Sequence, residues 1–153
     1  MWFKKKLKPR ASFPIGGYAL DMMLSEMSQL HEFSPSEYEV MGSQFVGEKI
    51  YHAPKVEFVG RPWNLTLGAV QGKLYKIAPF LELKDKTEAS DAAFRALTFC
   101  NEQLGKPAEQ RTGLFVWDTT DGNVILQTDE ARNGFAVNLF LTARSAREFQ
   151  RLA

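Results

Sequence analysis

Between residues 44 and 83 the chain reads in period two almost without a break, and no other feature constrains its fold as much. Segments 44–51, 55–60, 63–70 and 73–83 are rich in Val, Ile, Phe, Tyr and Leu, and they are punctuated by Pro54, Gly60-Arg61-Pro62 and Gln71-Gly72. Short punctuation of this kind joins antiparallel neighbours, because a parallel partner needs a crossover of about a dozen residues or more. In 63–70, Trp63, Leu65, Leu67 and Ala69 share one face and Asn64, Thr66 and Gly68 the other, so one side is buried and the other less so.

A helix must follow. Asp85 stands three residues before Glu88 in a variant of the capping box, and Gly105 with Lys106-Pro107 supplies the stop. Between them Ala89, Ala93, Leu97, Cys100 and Leu104, widened by Phe94, form the stripe predicted to face the sheet. Strands resume at 112–119, 124–128 and 135–142. Thr120-Asp121-Gly122-Asn123 predicts a type I′ hairpin turn, in which both central residues take positive φ. Arg132-Asn133-Gly134 predicts a second turn, with Phe135, Val137, Leu139 and Leu141 on one face of the strand after it. Ser145 opens a short C-terminal helix with Arg144, Arg147 and Arg151 near one face. Upstream, Leu20, Met23, Leu24, Met27 and Leu30 have helical spacing and predict an amphipathic N-terminal helix over 17–32, opened by Gly16-Gly17 and closed by Ser34-Pro35.

Strands in two runs, not alternating singly with helices, give an α+β protein whose mainly antiparallel sheet is packed by the amphipathic helix. A chain of 153 residues holds one such core. The expected organisation is a single domain over 13–153 preceded by a flexible basic arm over 1–12. In element order the layout resembles small secretion-chaperone, immunity-protein and lipoprotein-like domains, a likeness that extends to no shared motif.

The net charge of +1 argues against a wholesale nucleic-acid binder. It is nevertheless a sum of segregated charges. Residues 1–10 carry five cations and no acid, residues 11–130 carry ten cations against seventeen acids, and residues 131–153 carry four arginines against Glu148. No stretch approaches the roughly 20 apolar residues of a membrane-spanning helix. The basic start is followed by Pro14 and Gly16-Gly17, not by the apolar core of a secretory signal. With one cysteine there is no disulfide framework, and the expected location is the cytoplasm.

Motifs that carry chemistry are incomplete. Gly42-Ser-Gln-Phe-Val-Gly47-Glu48-Lys49 places an acid where a phosphate loop needs lysine. His31-Glu32 lacks a second histidine one turn on, and both His31 and His52 read as solvent-facing or cap residues, with no metal or cofactor expected. Cys100 lies on the apolar stripe as an ordinary buried thiol, and no nucleophile elbow is present. Trp63, Trp117, Tyr75 and Phe115 read as core. The unusual feature is the arm, where Trp2 and Phe3 precede Lys4, Lys5, Lys6, Lys8 and Arg10, a set suited to an anionic partner or surface.

The expected function is a non-enzymatic interaction module that binds a protein partner through a sheet face or a sheet edge. The alternative is a ligand-binding protein or enzyme with an aromatic pocket between sheet and helix, to which His52 and Asp118 contribute. A third reading is peripheral contact with a membrane surface or nucleic acid through the arm.

Overall fold

Three near-continuous alternating segments commit the middle of the chain to adjacent strands, and the rest of the fold is laid against them. A computed structural model of the chain describes residues 9–26, 30–34 and 45–152. Its strands are β1 (His31–Glu32), β2 (Glu48–Phe58), β3 (Arg61–Val70), β4 (Lys73–Leu83), β5 (Glu109–Arg111), β6 (Leu114–Asp118), β7 (Gly122–Ala131) and β8 (Gly134–Ala143). They form one antiparallel sheet in the order β1-β2-β3-β4-β8-β7-β6-β5. The two runs predicted by the sequence are thus two meanders fused where β4 pairs with β8. The one α-helix among the described residues, α1 (Lys86–Leu104), carries the chain from the middle of the sheet to its far edge. The mainly antiparallel α+β class is what this architecture shows.

Pro54 does not end a strand. It sits in a bulge where the pairing jumps from Ala53↔Leu65 to Val56↔Trp63, which accommodates a residue with no backbone N–H. The tight hairpins of the first run fall at the punctuation marked by Gly60 and by Gln71-Gly72, while the predicted turn at Asp121-Gly122 takes another form. Positive φ occurs at Val59 and Gly60, and at Gln71 and Gly72, the two-residue loops of β2–β3 and β3–β4. Neither Asp121 nor Gly122 has it, so the predicted I′ turn is not formed, although the hairpin is. Glycine is needed at 122 for closeness instead. A Cβ there would lie 1.8 Å from the Thr142 carbonyl oxygen on β8.

The predicted N-terminal helix over 17–32 is not formed in the described residues of that range. Asp21 has φ 68, its N–H donates to the Leu74 carbonyl at 2.8 Å, and Leu74 N–H donates to Met22 at 2.9 Å. Pairing to β4 consumes the groups an α-helix would use, so Leu20, Met22 and Leu24 turn inward while Met23 is exposed. A 3₁₀ turn at Leu24–Glu26 is the remaining helical piece, and residues 27–29 lie outside the described part. The C-terminal helix is likewise a 3₁₀ turn, Arg144–Glu148.

The core lies between the sheet and α1. Trp63, Leu65, Leu67 and Ala69 are all buried on the face assigned to them, as are Val137, Leu139 and Leu141. Asp85 caps α1 by accepting from the N–H groups of Thr87 and Glu88. Its buried residues are Ala89, Ala92, Ala96 and Cys100, a small-residue face that rotates the helix away from the predicted stripe and leaves Phe94 66% exposed.

Gly122→Ala is expected to destabilise the protein by about 3 kcal/mol or to prevent folding, because backbone must move to admit the methyl group. Gly72→Ala, at φ 75 with nothing near the added atom, is expected to cost only about 1–2 kcal/mol. Urea denaturation of both variants checks the order.

Candidate functional site

α1 divides its side of the sheet in two. On the β2–β3 side the chain covers its own core. Phe13 packs edge-on against Phe99 of α1 at 4.8 Å, and Phe99 against Phe58 of β2 at 5.1 Å. This N-terminal segment is fastened at several points. The Thr120 N–H donates to the Arg10 carbonyl at 3.0 Å, and the Ser12 N–H and hydroxyl donate to the Asp121 carboxylate at 3.0 and 2.7 Å.

On the β6–β8 side no such cover is present among the described residues, and a groove of about 560 Å³ remains. Ala89, Ala93, Phe94 and Leu97 of α1 form one wall. Phe115 of β6, Phe135 and Val137 of β8 and Gly113 of the β5–β6 turn form the floor and the other wall. Charged side chains stand only at the rim, where Lys86, Asp129 and Glu130 are exposed. Phe115 stacks on Trp117 at 6.2 Å, and the Trp117 indole N–H donates to the Gly105 carbonyl at 3.0 Å, which fixes the far end of the groove to the end of α1. With apolar walls and rim charges the groove is equipped to bind apolar groups.

The residues expected at a pocket are not brought together. His52 is exposed on β2 and Asp118 is exposed on β6, five strand positions away, which is about 24 Å across a sheet. Neither is among the described residues lining the groove. His52 has a different neighbour, His31, its register partner on β1. Of the arm residues, Trp2, Phe3, Lys4, Lys5, Lys6 and Lys8 lie outside the described part. Arg10 is described, and its guanidinium donates to the carbonyls of Glu102 and Gln103 at 3.4 and 3.2 Å, at the C-terminus of α1.

A second polar cluster sits on the opposite face. Glu48 is buried and accepts from the Tyr75 hydroxyl at 2.5 Å and from the Phe45 N–H at 3.2 Å, with Lys76 Nζ 3.9 Å away. Gly68 makes room for it, since a Cβ there would come within 3.3 Å of the Glu48 carboxylate. Burial and the adjacent Glu48 carboxylate push the Tyr75 hydroxyl's pKa up, and burial pulls Lys76 down against the opposing pull of Glu48. Phe45, Tyr75 and Phe149 pack edge-to-face around the cluster, which therefore ties the C-terminal tail to β2 and β4. Among the described residues no three His, Cys, Asp or Glu side chains gather as a metal-holding group, and no helix is long and apolar enough to cross a membrane. The chain matches no protein-family model, and no curated protein or solved structure is detectably similar to it.

The sequence offered an aromatic pocket between sheet and helix as an alternative, but assigned to it none of the residues that line this groove. Its signal was available in α1, where Ala93, Phe94 and Leu97 continue an apolar surface beyond the Ala89, Ala92, Ala96 and Cys100 face that meets the sheet.

Two outcomes follow from the environments of single groups. Burial pushes the Cys100 thiol up to about 12, so it is expected to resist a thiol reagent at pH 8 in the folded protein and to react stoichiometrically in denaturant. Burial raises the Asp121 carboxyl, but the hydrogen bonds it accepts, those from Ser12 foremost, together outweigh burial and hold the carboxyl below its ordinary range. The unfolded chain then binds the proton more readily, so this contribution is full above about pH 4 and is lost as pH falls through the folded-state value. Asp121→Asn is expected to lower stability at pH 7 by about 1 kcal/mol and to flatten the acid limb of a stability–pH profile below pH 4.

Proposed function

We propose that the protein is a non-enzymatic interaction module that holds an apolar segment of a partner polypeptide in the groove between α1 and β6–β8. The observation that carries this reading is Phe94. A phenylalanine 66% exposed at the mouth of an open apolar groove, on the same helix surface as Ala93 and Leu97, gains about 1.5–3 kcal/mol if a partner buries it. The groove is favoured over a sheet edge by the edges themselves. β1 has two residues, and β5 has three, Glu109-Gln110-Arg111, all exposed and with Arg111 paired to Glu109. Short, charged edge strands discourage strand addition. The lone thiol, free and buried, suits the cytoplasm proposed as its location.

The volume also falls within the range of small-molecule pockets, which supports the second reading, an apolar ligand held between sheet and helix. A displayed random-peptide library selected on the purified chain separates the two. Enrichment of sequences carrying Leu, Ile, Phe or Trp is expected, with capture reduced at least tenfold by Phe94→Asp and by Ala93→Trp, which fills the groove. Both positions lie outside the fully buried face of α1, so the melting temperature is expected to change by only a few degrees. Failure of the library to enrich, together with saturable binding of a small apolar fluorophore that Ala93→Trp abolishes, would replace the peptide reading with the ligand one.

A further inference from the structure

The strand register brings together two side chains that are 21 positions apart in sequence and that the groove does not use. His31 on β1 and His52 on β2 are direct Cα partners, and both are exposed. We propose that they form a two-imidazole site for a divalent transition cation of the zinc or copper(II) class, which fastens the edge strand β1 to the sheet.

Side chains of register partners in an antiparallel pair project to the same face. For His52 it is the face opposite α1, because its neighbours Tyr51 and Ala53 are buried in the helix-side core. The next bond along the ladder runs from the Phe33 N–H to the Ile50 carbonyl at 2.9 Å, which makes His31 and His52 a hydrogen-bonded pair with Cβ atoms about 5.5 Å apart. A tetrahedral zinc with bonds of about 2.0–2.1 Å needs its nitrogens about 3.3 Å apart, a separation two imidazoles reach by rotating toward each other from such a pair. The Phe33 ring, with its centroid 6.2 Å from that of His52, restricts where the His52 imidazole can turn. Glu32 is on the other side of the strand, 4.0 Å from Lys49. The coordination positions beyond the two nitrogens fall to water, since no third His, Cys, Asp or Glu among the described residues gathers with them. Imidazole donors favour copper(II), nickel and zinc over magnesium and calcium.

The consequence is structural. β1 has only two residues, so its hold on the sheet is slight, and a cation bound to both strands stabilises the docked arrangement by mass action.

The test is titration of the full-length chain, free of any histidine tag, with zinc chloride and with copper sulfate, followed by calorimetry and by the imidazole Hε1 resonances. One equivalent is expected to bind, with the resonances of His31 and His52 shifting together on zinc and broadening together on copper(II), and magnesium without effect. His31→Ala and His52→Ala are each expected to weaken binding at least tenfold, and the double variant is expected to be no weaker than the worse single one, since a chelate is lost with its first arm. Both residues are exposed, so the metal-free variants are expected to melt within a few degrees of the parent. Binding unchanged by either substitution would overturn the proposal. So would independent, additive losses from the two variants, which would mean two separate surface histidines.

Discussion

The pairing of β4 with β8 is the interaction on which the remainder of this structure depends. Ile77 lies opposite Leu141 and Leu81 opposite Val137, and all four are buried. Without that seam there would be two small meanders, each with a long unpaired edge and one face in water, an arrangement that pairs with other chains as readily as with itself. With it, β4 and β8 lie in the interior, and the outermost strands are the two- and three-residue β1 and β5, with β1 pairing to β2 at Tyr51 and His52. The seam also fixes the helix. Closing a sheet between residues some 60 positions apart obliges the intervening chain to cross from the middle to the far edge, and α1 is that crossing, packed over β4, β8 and β7.

A helix lying across the middle of a sheet has sheet on both sides of it, and α1 has a surface for each. Its underside is Ala89, Ala92, Ala96 and Cys100, small enough for close approach. Phe99 serves the side where the N-terminal segment is bound. Ala93, Phe94 and Leu97 serve the other, where the groove lies. The apolar surface of the helix is thus wider than its contact with the sheet requires, and on one of its two flanks Phe99 is met by Phe13 of the chain's own N-terminal segment. The likeness of the two flanks is the argument for reading the open one as a seat for a segment of polypeptide.

Much of this was legible in the sequence, for local reasons. The caps of α1 at Asp85 and Gly105 and the buried faces of β3 and β8 follow from cap chemistry and from period two. What was not legible depended on partners distant in sequence. Leu20, Met23, Leu24 and Met27 have helical spacing, yet the backbone at 21–24 bonds to Leu74 and Gly72, and tertiary pairing overrides the period. Asp121-Gly122 has the composition of a I′ turn, but the glycine answers to the Thr142 carbonyl on β8 and the aspartate to Ser12. Phe94 matched the predicted buried stripe because sequence spacing cannot tell a helix surface that meets a sheet from one that meets a vacant groove. The His31–His52 pairing is invisible for the same reason, since it is set by the register of an edge strand.

The segregated charge takes on a different sense against this fold. The last turn of α1 contains no basic residue to balance the exposed carbonyls at its negative end. Arg10 supplies the missing cation from 92 positions away through its bonds to Glu102 and Gln103, and Arg144 does the same for the Thr119 carbonyl in the β6–β7 loop. One arginine of the basic N-terminal stretch and one of the basic C-terminal stretch are therefore engaged in closing the ends of interior elements. A basic residue used in that way is not available to an anionic partner, so the charge that remains for recognition is narrower than the sequence count implies.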